Sequence, residues 1–183
     1  MHKLGALRGD AWVEHSFPPV LRRNTTKSGT TRITAGVPSG EVSVFAKLLF
    51  ATEPPYQLLY VLHTPRGEGE AGRYQSPDLN GSQLRDFLLK YRDLLMYDSR
   101  FDLWGRSAPD QATVVWDRHS ILYAYGPLDL FESELRSLGY SVGDVDASFP
   151  HQHYYRAELD HLAKDLLASF NWSVTPLRPE DHQ

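Results

Sequence analysis

Cysteine is absent from this sequence of 183 residues. Its absence excludes disulfides, thiolate catalysis and any zinc or iron–sulfur centre with cysteine ligands. Long apolar runs are also missing. No stretch approaches the roughly 18 residues that span a bilayer, and the first residues lack the continuous apolar segment of a secretory signal. We therefore expect a cytoplasmic protein without a membrane partner.

An excess of positive charge is missing as well. The formal net charge is −4 and charged residues make up 23% of the chain, so the composition offers no basic footprint for nucleic acid. The apolar fraction of 41% suits a globular core. At this length we expect one α+β domain over residues 1–183, with residues 1–38 loosely structured and residues 178–183 forming a solvated tail.

Complete catalytic motifs are the third absence. The sequence contains no nucleophile elbow, no H-E-x-x-H zinc motif, no Walker loop and no kinase pattern. This favours a non-enzymatic protein.

The clearest positive pattern is a hairpin in the middle of the chain. Residues 113–116 and 121–125 are rich in β-branched and aromatic side chains, which favour strands. The polar residues 117–120 between them have the length of a hairpin turn. The sequence therefore predicts two antiparallel strands joined by a charged turn.

Helical periodicity surrounds this hairpin. Apolar residues repeat at helical spacing after Ser39, from Asn80 to about Tyr97, after Pro127 and in the last helix, which follows Pro150. Residues 57–63 predict a buried strand, and residues 64–80 predict a mobile, exposed loop. From this order we expect a two-layer domain, with a mostly antiparallel sheet of about four to five strands and helices on one face.

The strongest candidate for metal binding is the pair His151 and His153. Extended backbone places alternate side chains on one side, and Pro150 favours extended backbone just before the pair. Zinc needs at least a third protein ligand. By residue type, the candidates are His119, Asp117 and His63.

The turn residues Asp117 and His119 have two interpretations. An aspartate beside a histidine can orient a general base. Aspartate is also a standard turn former, and neighbours in a turn usually point in different directions. We expect the turn role.

A third candidate is the segment between Arg66 and Arg73. Its sequence GEGEAG matches G-x-G-x-x-G, but no helix is predicted to begin at once, and two glutamates would repel phosphate. The two flanking arginines leave capture of a small anionic ligand as an alternative.

Three functional hypotheses follow. The leading one is a binding protein that contacts another protein through its many aromatic residues, without a cofactor. The second is a metal-dependent hydrolase with zinc held by the histidine cluster. The third is a sensor for a small anionic molecule that uses Arg66 and Arg73.

Overall fold

A computed structural model describes residues 1–181. The strands β1 to β12, in chain order, are Leu4–Arg8, Ala11–His15, Val20–Thr25, Thr31–Gly36, Tyr56–Leu62, Gly72–Gln75, Phe101–Ser107, Ala112–Trp116, Ile121–Tyr125, Ser141–Val142, His151–His153 and Ser173–Thr175. The helices α1 to α5 are Val42–Phe50, Gly81–Lys90, Arg92–Tyr97, Leu128–Ser137 and Asp160–Leu167. Short 3-10 helices cover Pro38–Gly40, Ala157–Leu159 and Pro179–Asp181.

The fold is α+β, but the expected small sheet is wrong. Across residues 1–181, nine strands form one sheet in the order β10-β3-β4-β9-β8-β7-β5-β6-β12, and three form a second sheet in the order β11-β1-β2. The large sheet is mixed because β10 runs parallel to β3. The additional strands are short or rich in threonine and arginine, so their hydrophobic alternation is weak.

The central hairpin is confirmed. β8 and β9 pair antiparallel with Trp116 opposite Leu122. The turn closes with backbone hydrogen bonds from the N–H of Asp117 to the carbonyl of Ile121 and from the N–H of Ser120 to the carbonyl of Asp117. Both strands lie in the interior of the large sheet, so the turn between them is fixed by a well-packed scaffold.

The helices share one hydrophobic core with one face of the large sheet. α1 packs against β7 and β8, while α4 packs against β4 and β9. Asn80 caps α2 in a full capping box with Gln83, as the sequence predicts. The single helix expected up to Tyr97 is interrupted at Tyr91, which separates α2 from α3.

Three expectations about irregular segments need correction. Residues 1–38 contain β1 to β4 instead of a loose segment. Residues 64–80 are exposed in part, as expected, but they include the paired strand β6, and Glu68 turns inward to Arg100. Within the expected solvated tail, Asp181 is buried against Arg73, whereas residues 182–183 lie outside the described residues.

Within residues 1–181, the five α-helices bury their apolar side chains in the core of that first face, and none of them lines the cavity on the other face of the large sheet. Alternation along β7, β8 and β9 directs Asp102, Trp104, Val115 and Tyr123 to this face. Residues 143–150 and the small sheet cover one end of it, where Leu4, Phe17 and Ile121 form a second hydrophobic cluster. A cavity remains between this cover and the sheet. Within the described residues, no helix is long and apolar enough to cross a bilayer.

Candidate metal centre

Three histidines from two distant segments meet on the open face of the large sheet, the face opposite the core of the α-helices, at the end that the small sheet covers. The turn between β8 and β9 supplies His119, and β11 supplies His151 and His153. One ring nitrogen from each residue can be chosen so that all three nitrogens lie within 4.8 Å of one another. The convergence on which the sequence-based metal hypothesis depends is therefore present.

The local structure of β11 explains why two of these rings share a side. β11 pairs antiparallel with β1, with His153 opposite Leu4 and His151 opposite Ala6. Alternate residues of a strand point to the same face. Leu4 and Ala6 are buried, so the two histidines belong to the inner face of the small sheet, which faces the turn that carries His119.

The spacing of the rings fits a tetrahedral ion. Their centroids are 5.2 Å apart for His119 and His151, 4.9 Å for His119 and His153, and 5.6 Å for His151 and His153. A zinc–nitrogen bond of about 2.0–2.1 Å and tetrahedral angles place imidazole centroids about 5 Å apart. Small rotations of the rings are therefore enough to direct three nitrogens at one point.

Hydrogen bonds orient two of the rings for coordination. Nδ1 of His151 lies 3.0 Å from the carbonyl oxygen of Phe149. Since a carbonyl only accepts, Nδ1 must carry the proton, which leaves the lone pair on Nε2. Nδ1 of His119 lies 3.1 Å from Oδ2 of Asp117, and the same reasoning applies. Such outer partners fix the tautomer of histidines that ligate metals.

The surroundings of His153 favour its neutral form. Burial, followed by the nearby His119, Arg118 and His151, lowers the pKa of His153 to about 3. The ring is therefore neutral at pH 7, which is the form that binds a metal. Its Nδ1 is buried without a hydrogen-bond partner among the described residues. An orphaned buried nitrogen costs about 1–3 kcal/mol and can mark a missing ion or water.

A cavity of about 530 Å³ opens beside the cluster, with His119 and His151 in its wall. Its size lies within the usual range for small-molecule sites, about 300–1,000 Å³. Aromatic and aliphatic residues form most of its floor. They are Trp104, Val115, Ile121, Tyr123 and Tyr125.

The charges around the cluster are mixed and locally balanced. Asp117 lies beside His119, and Asp102 accepts a hydrogen bond of 2.8 Å from the backbone N–H of Arg118. Asp102 also bonds the Nε2 of His63 at 2.9 Å. Arg118 lowers the pKa of His153 and Asp102 raises it, so charges of both signs act at this end of the cavity.

The other predicted site residues lie elsewhere in structural pairs. His63 is almost fully buried against Asp102 and is not part of the histidine cluster. Arg66 pairs with Asp160 at 3.1 Å. Arg73 is buried in an ion pair with Asp181. Both arginines are therefore paired with carboxylates of the chain, and neither lines the cavity beside the histidine cluster.

Sequence reasoning missed several residues of the cavity wall, among them Asp102 and Arg32. Asp102 is the acidic residue of β7 and lies between the apolar residues Phe101 and Leu103, which was a usable signal. Arg32 follows Thr30 and Thr31 in a segment of low hydrophobicity, where the sequence indicates a loop. No signal in the sequence distinguishes it from the other arginines.

No protein family, curated protein or solved structure with which the chain was compared matches it.

Proposed function

We propose that this protein is a metal-dependent hydrolytic enzyme, with a divalent ion bound by His119, His151 and His153. The observation that carries the proposal is the convergence of the three rings at the wall of a cavity of about 530 Å³. It reverses the order of the sequence-based hypotheses, which placed a non-enzymatic binding protein first.

The number of ligands favours catalysis over a structural role. Structural zinc sites have four protein ligands, whereas catalytic sites have three and keep the fourth position for water or substrate. Here the cluster has three members and the cavity adjoins two of them. A metal at this point would polarise a substrate oxygen and lower the pKa of a bound water to about 7.

Zinc is the ion that best suits the donors. Three imidazoles and no sulfur ligand match the nitrogen-rich sites of catalytic zinc, while magnesium and calcium prefer oxygen ligands. Asp117 would act as the outer carboxylate that holds His119 in place. A cytoplasmic location remains a prediction from the sequence.

The experiment is a hydrolysis screen of chain made metal-free with a chelator and then reloaded with zinc. The substrates are nitrophenyl acetate, nitrophenyl phosphate and an aminoacyl nitroanilide. We expect at least one to be turned over in the zinc-loaded protein only. The activity should be lost in His151→Ala and retained in His161→Ala, which alters an exposed histidine outside the cluster. Turnover that is equal with and without zinc would contradict the proposal.

Protein binding is the second candidate, and one observation favours it. β2 is an edge strand of the small sheet, and two of its large apolar side chains, Trp12 and Val13, are 44% and 42% exposed. Edge strands with exposed apolar residues can pair with another chain. If β2 mediates self-association, sedimentation should show an oligomer that Trp12→Lys converts to monomer. A wild-type monomer at all concentrations would exclude association with a second copy.

A further inference from the structure

Arg32 forms the far end of the same cavity and has no acidic partner among residues 1–181. We propose that Arg32 binds an anionic group of the substrate, so that the enzyme acts on molecules carrying a carboxylate or phosphate remote from the hydrolysed bond. The placement of a metal at the histidine end of the cavity rests on the proposed function, whereas the binding of an anion by Arg32 does not.

The guanidinium of Arg32 is held in a fixed orientation on the open sheet face. Its Nη1 donates a hydrogen bond of 2.9 Å to the hydroxyl of Tyr125. Its central carbon lies 4.3 Å from the ring centroid of Tyr123. A stacked and hydrogen-bonded guanidinium is preorganised, so less entropy is lost when it binds an anion.

Three of the four carboxylates in the cavity wall are held by other groups of the chain. Asp117 serves His119, Asp102 serves His63 and the backbone of Arg118, and Asp181 serves Arg73. Glu180, the remaining acid in the wall, lies 3.9 Å from Arg178.

Arg32 is therefore a partly buried cation without an ion pair inside the described residues. Its Nε is buried and makes no hydrogen bond there. Removing a charge from water is costly unless it is paired. An anionic ligand would supply the missing partner, and a guanidinium can bind carboxylate or phosphate with two parallel hydrogen bonds.

The strand between the two ends sets the size of the ligand. Ile121 follows the turn of His119, Tyr123 is two residues further along β9, and Arg32 stacks on Tyr123. With a rise of about 3.4 Å per residue, the anion and the metal are on the order of 10 Å apart. The surface between them is apolar and aromatic. The ligand should have an anionic end, an apolar middle and the reacting group at the histidines.

The test uses two zinc-chelating probes that differ at the far end. Suberic monohydroxamate carries a distal carboxylate, and octanohydroxamate ends in a methyl group. We expect the zinc-loaded protein to bind the carboxylate probe about tenfold or more tightly, the usual worth of a charge-assisted hydrogen bond. Arg32→Met and Arg32→Gln should both lose this preference while keeping their affinity for zinc. Arg22→Met should keep it, since Arg22 lies on the same sheet face but is exposed and paired with Asp144.

Equal affinity of the two probes in the wild type would overturn the role of Arg32 and leave the metal proposal standing. If neither hydroxamate binds and zinc is not retained, the metal proposal fails and a second pair of ligands decides about Arg32. Octanoate should then bind the metal-free protein more tightly than its neutral analogue octanamide, and Arg32→Gln should abolish the difference. Equal binding of octanoate and octanamide would overturn the inference.

Discussion

Asp117 holds His119 at two points. Its Oδ1 accepts a hydrogen bond of 2.9 Å from the backbone N–H of His119, and its Oδ2 bonds the ring Nδ1 at 3.1 Å. Oδ1 also accepts from the backbone N–H of Ile121 at 2.8 Å. The sequence presented turn formation and orientation of a histidine as competing roles for this aspartate, but in the structure one carboxylate performs both.

Asp117→Asn separates these two roles. The amide oxygen can still accept from the backbone, so the turn should persist. The amide N–H₂ would donate to Nδ1 of the ring and favour the tautomer with its proton on Nε2. In that tautomer Nε2 has no lone pair with which to bind a metal. Because outer partners of this kind are worth about 10–100-fold in metal affinity, we expect zinc to bind that much more weakly in competition with a chromophoric chelator. An affinity equal to that of the wild type would show that Asp117 serves the turn alone.

Arg100 and Arg66 offer a matched test of burial, because both bond Oδ1 of Asp160. Arg100 is fully buried and also binds Asp98 and Glu68. Arg100→Met should lower the free energy of unfolding by about 3–5 kcal/mol, because it leaves buried carboxylates without a partner. Arg66→Met removes a partly exposed pair and should cost under about 1 kcal/mol. Urea denaturation measures the free energy of unfolding of both variants. A similar decrease in the two would show that burial does not make the ion pairs of Arg100 more important than that of Arg66.

Lys3 is a buried cation, and its effect on the free energy of unfolding should depend on pH. Its Nζ lies 4.0 Å from the ring centroid of Trp116 and makes no hydrogen bond among the described residues. Burial, partly offset by Asp117, Asp102 and Asp98, lowers the pKa of Lys3 from 10.5 to about 8. The unfolded chain therefore binds more protons between these values, and this lysine destabilises the fold most below pH 8.

Lys3→Met should accordingly stabilise the protein at neutral pH by roughly 1–3 kcal/mol, since each pKa unit corresponds to about 1.4 kcal/mol. The advantage should shrink as the pH rises from about 8 towards 10.5. Urea denaturation of the wild type and of Lys3→Met, from neutral pH to about pH 10.5, measures this difference in stability. A variant less stable than the wild type at neutral pH would mean that the contacts of the ammonium with Trp116 and Phe101 outweigh its burial.

The sequence predicts those parts of the fold whose signals are local. The hairpin of β8 and β9 and the capping box of Asn80 depend on residues a few positions apart, and both are confirmed. The size of the large sheet depends on pairings between distant segments, such as β3 with β10 and β6 with β12. Short strands such as Ser141–Val142 carry no periodicity from which such pairing could be predicted.

In the candidate site, too, the sequence predicts the local features but not the contacts between distant segments. The spacing of His151 and His153 indicates a shared side of a strand from sequence alone. The approach of His119 depends on the small sheet closing over the turn, and residues 1–38 were expected to be loose instead of forming β1 and β2. The anion-binding role proposed for Arg32 depends on Asp117, Asp102 and Asp181 having other partners, and the sequence does not show those partners.

The metal content of protein purified without a histidine tag tests the central claim most directly. After zinc is added and excess is removed by gel filtration, elemental analysis should find about one zinc per chain in the wild type and in His161→Ala, as expected for a three-histidine site. The double variant His151→Ala/His153→Ala should retain none while keeping its far-UV circular dichroism spectrum. Zinc at well below one per chain in a folded wild type, or equal zinc in the double variant, would contradict the assignment of His119, His151 and His153 as a metal centre.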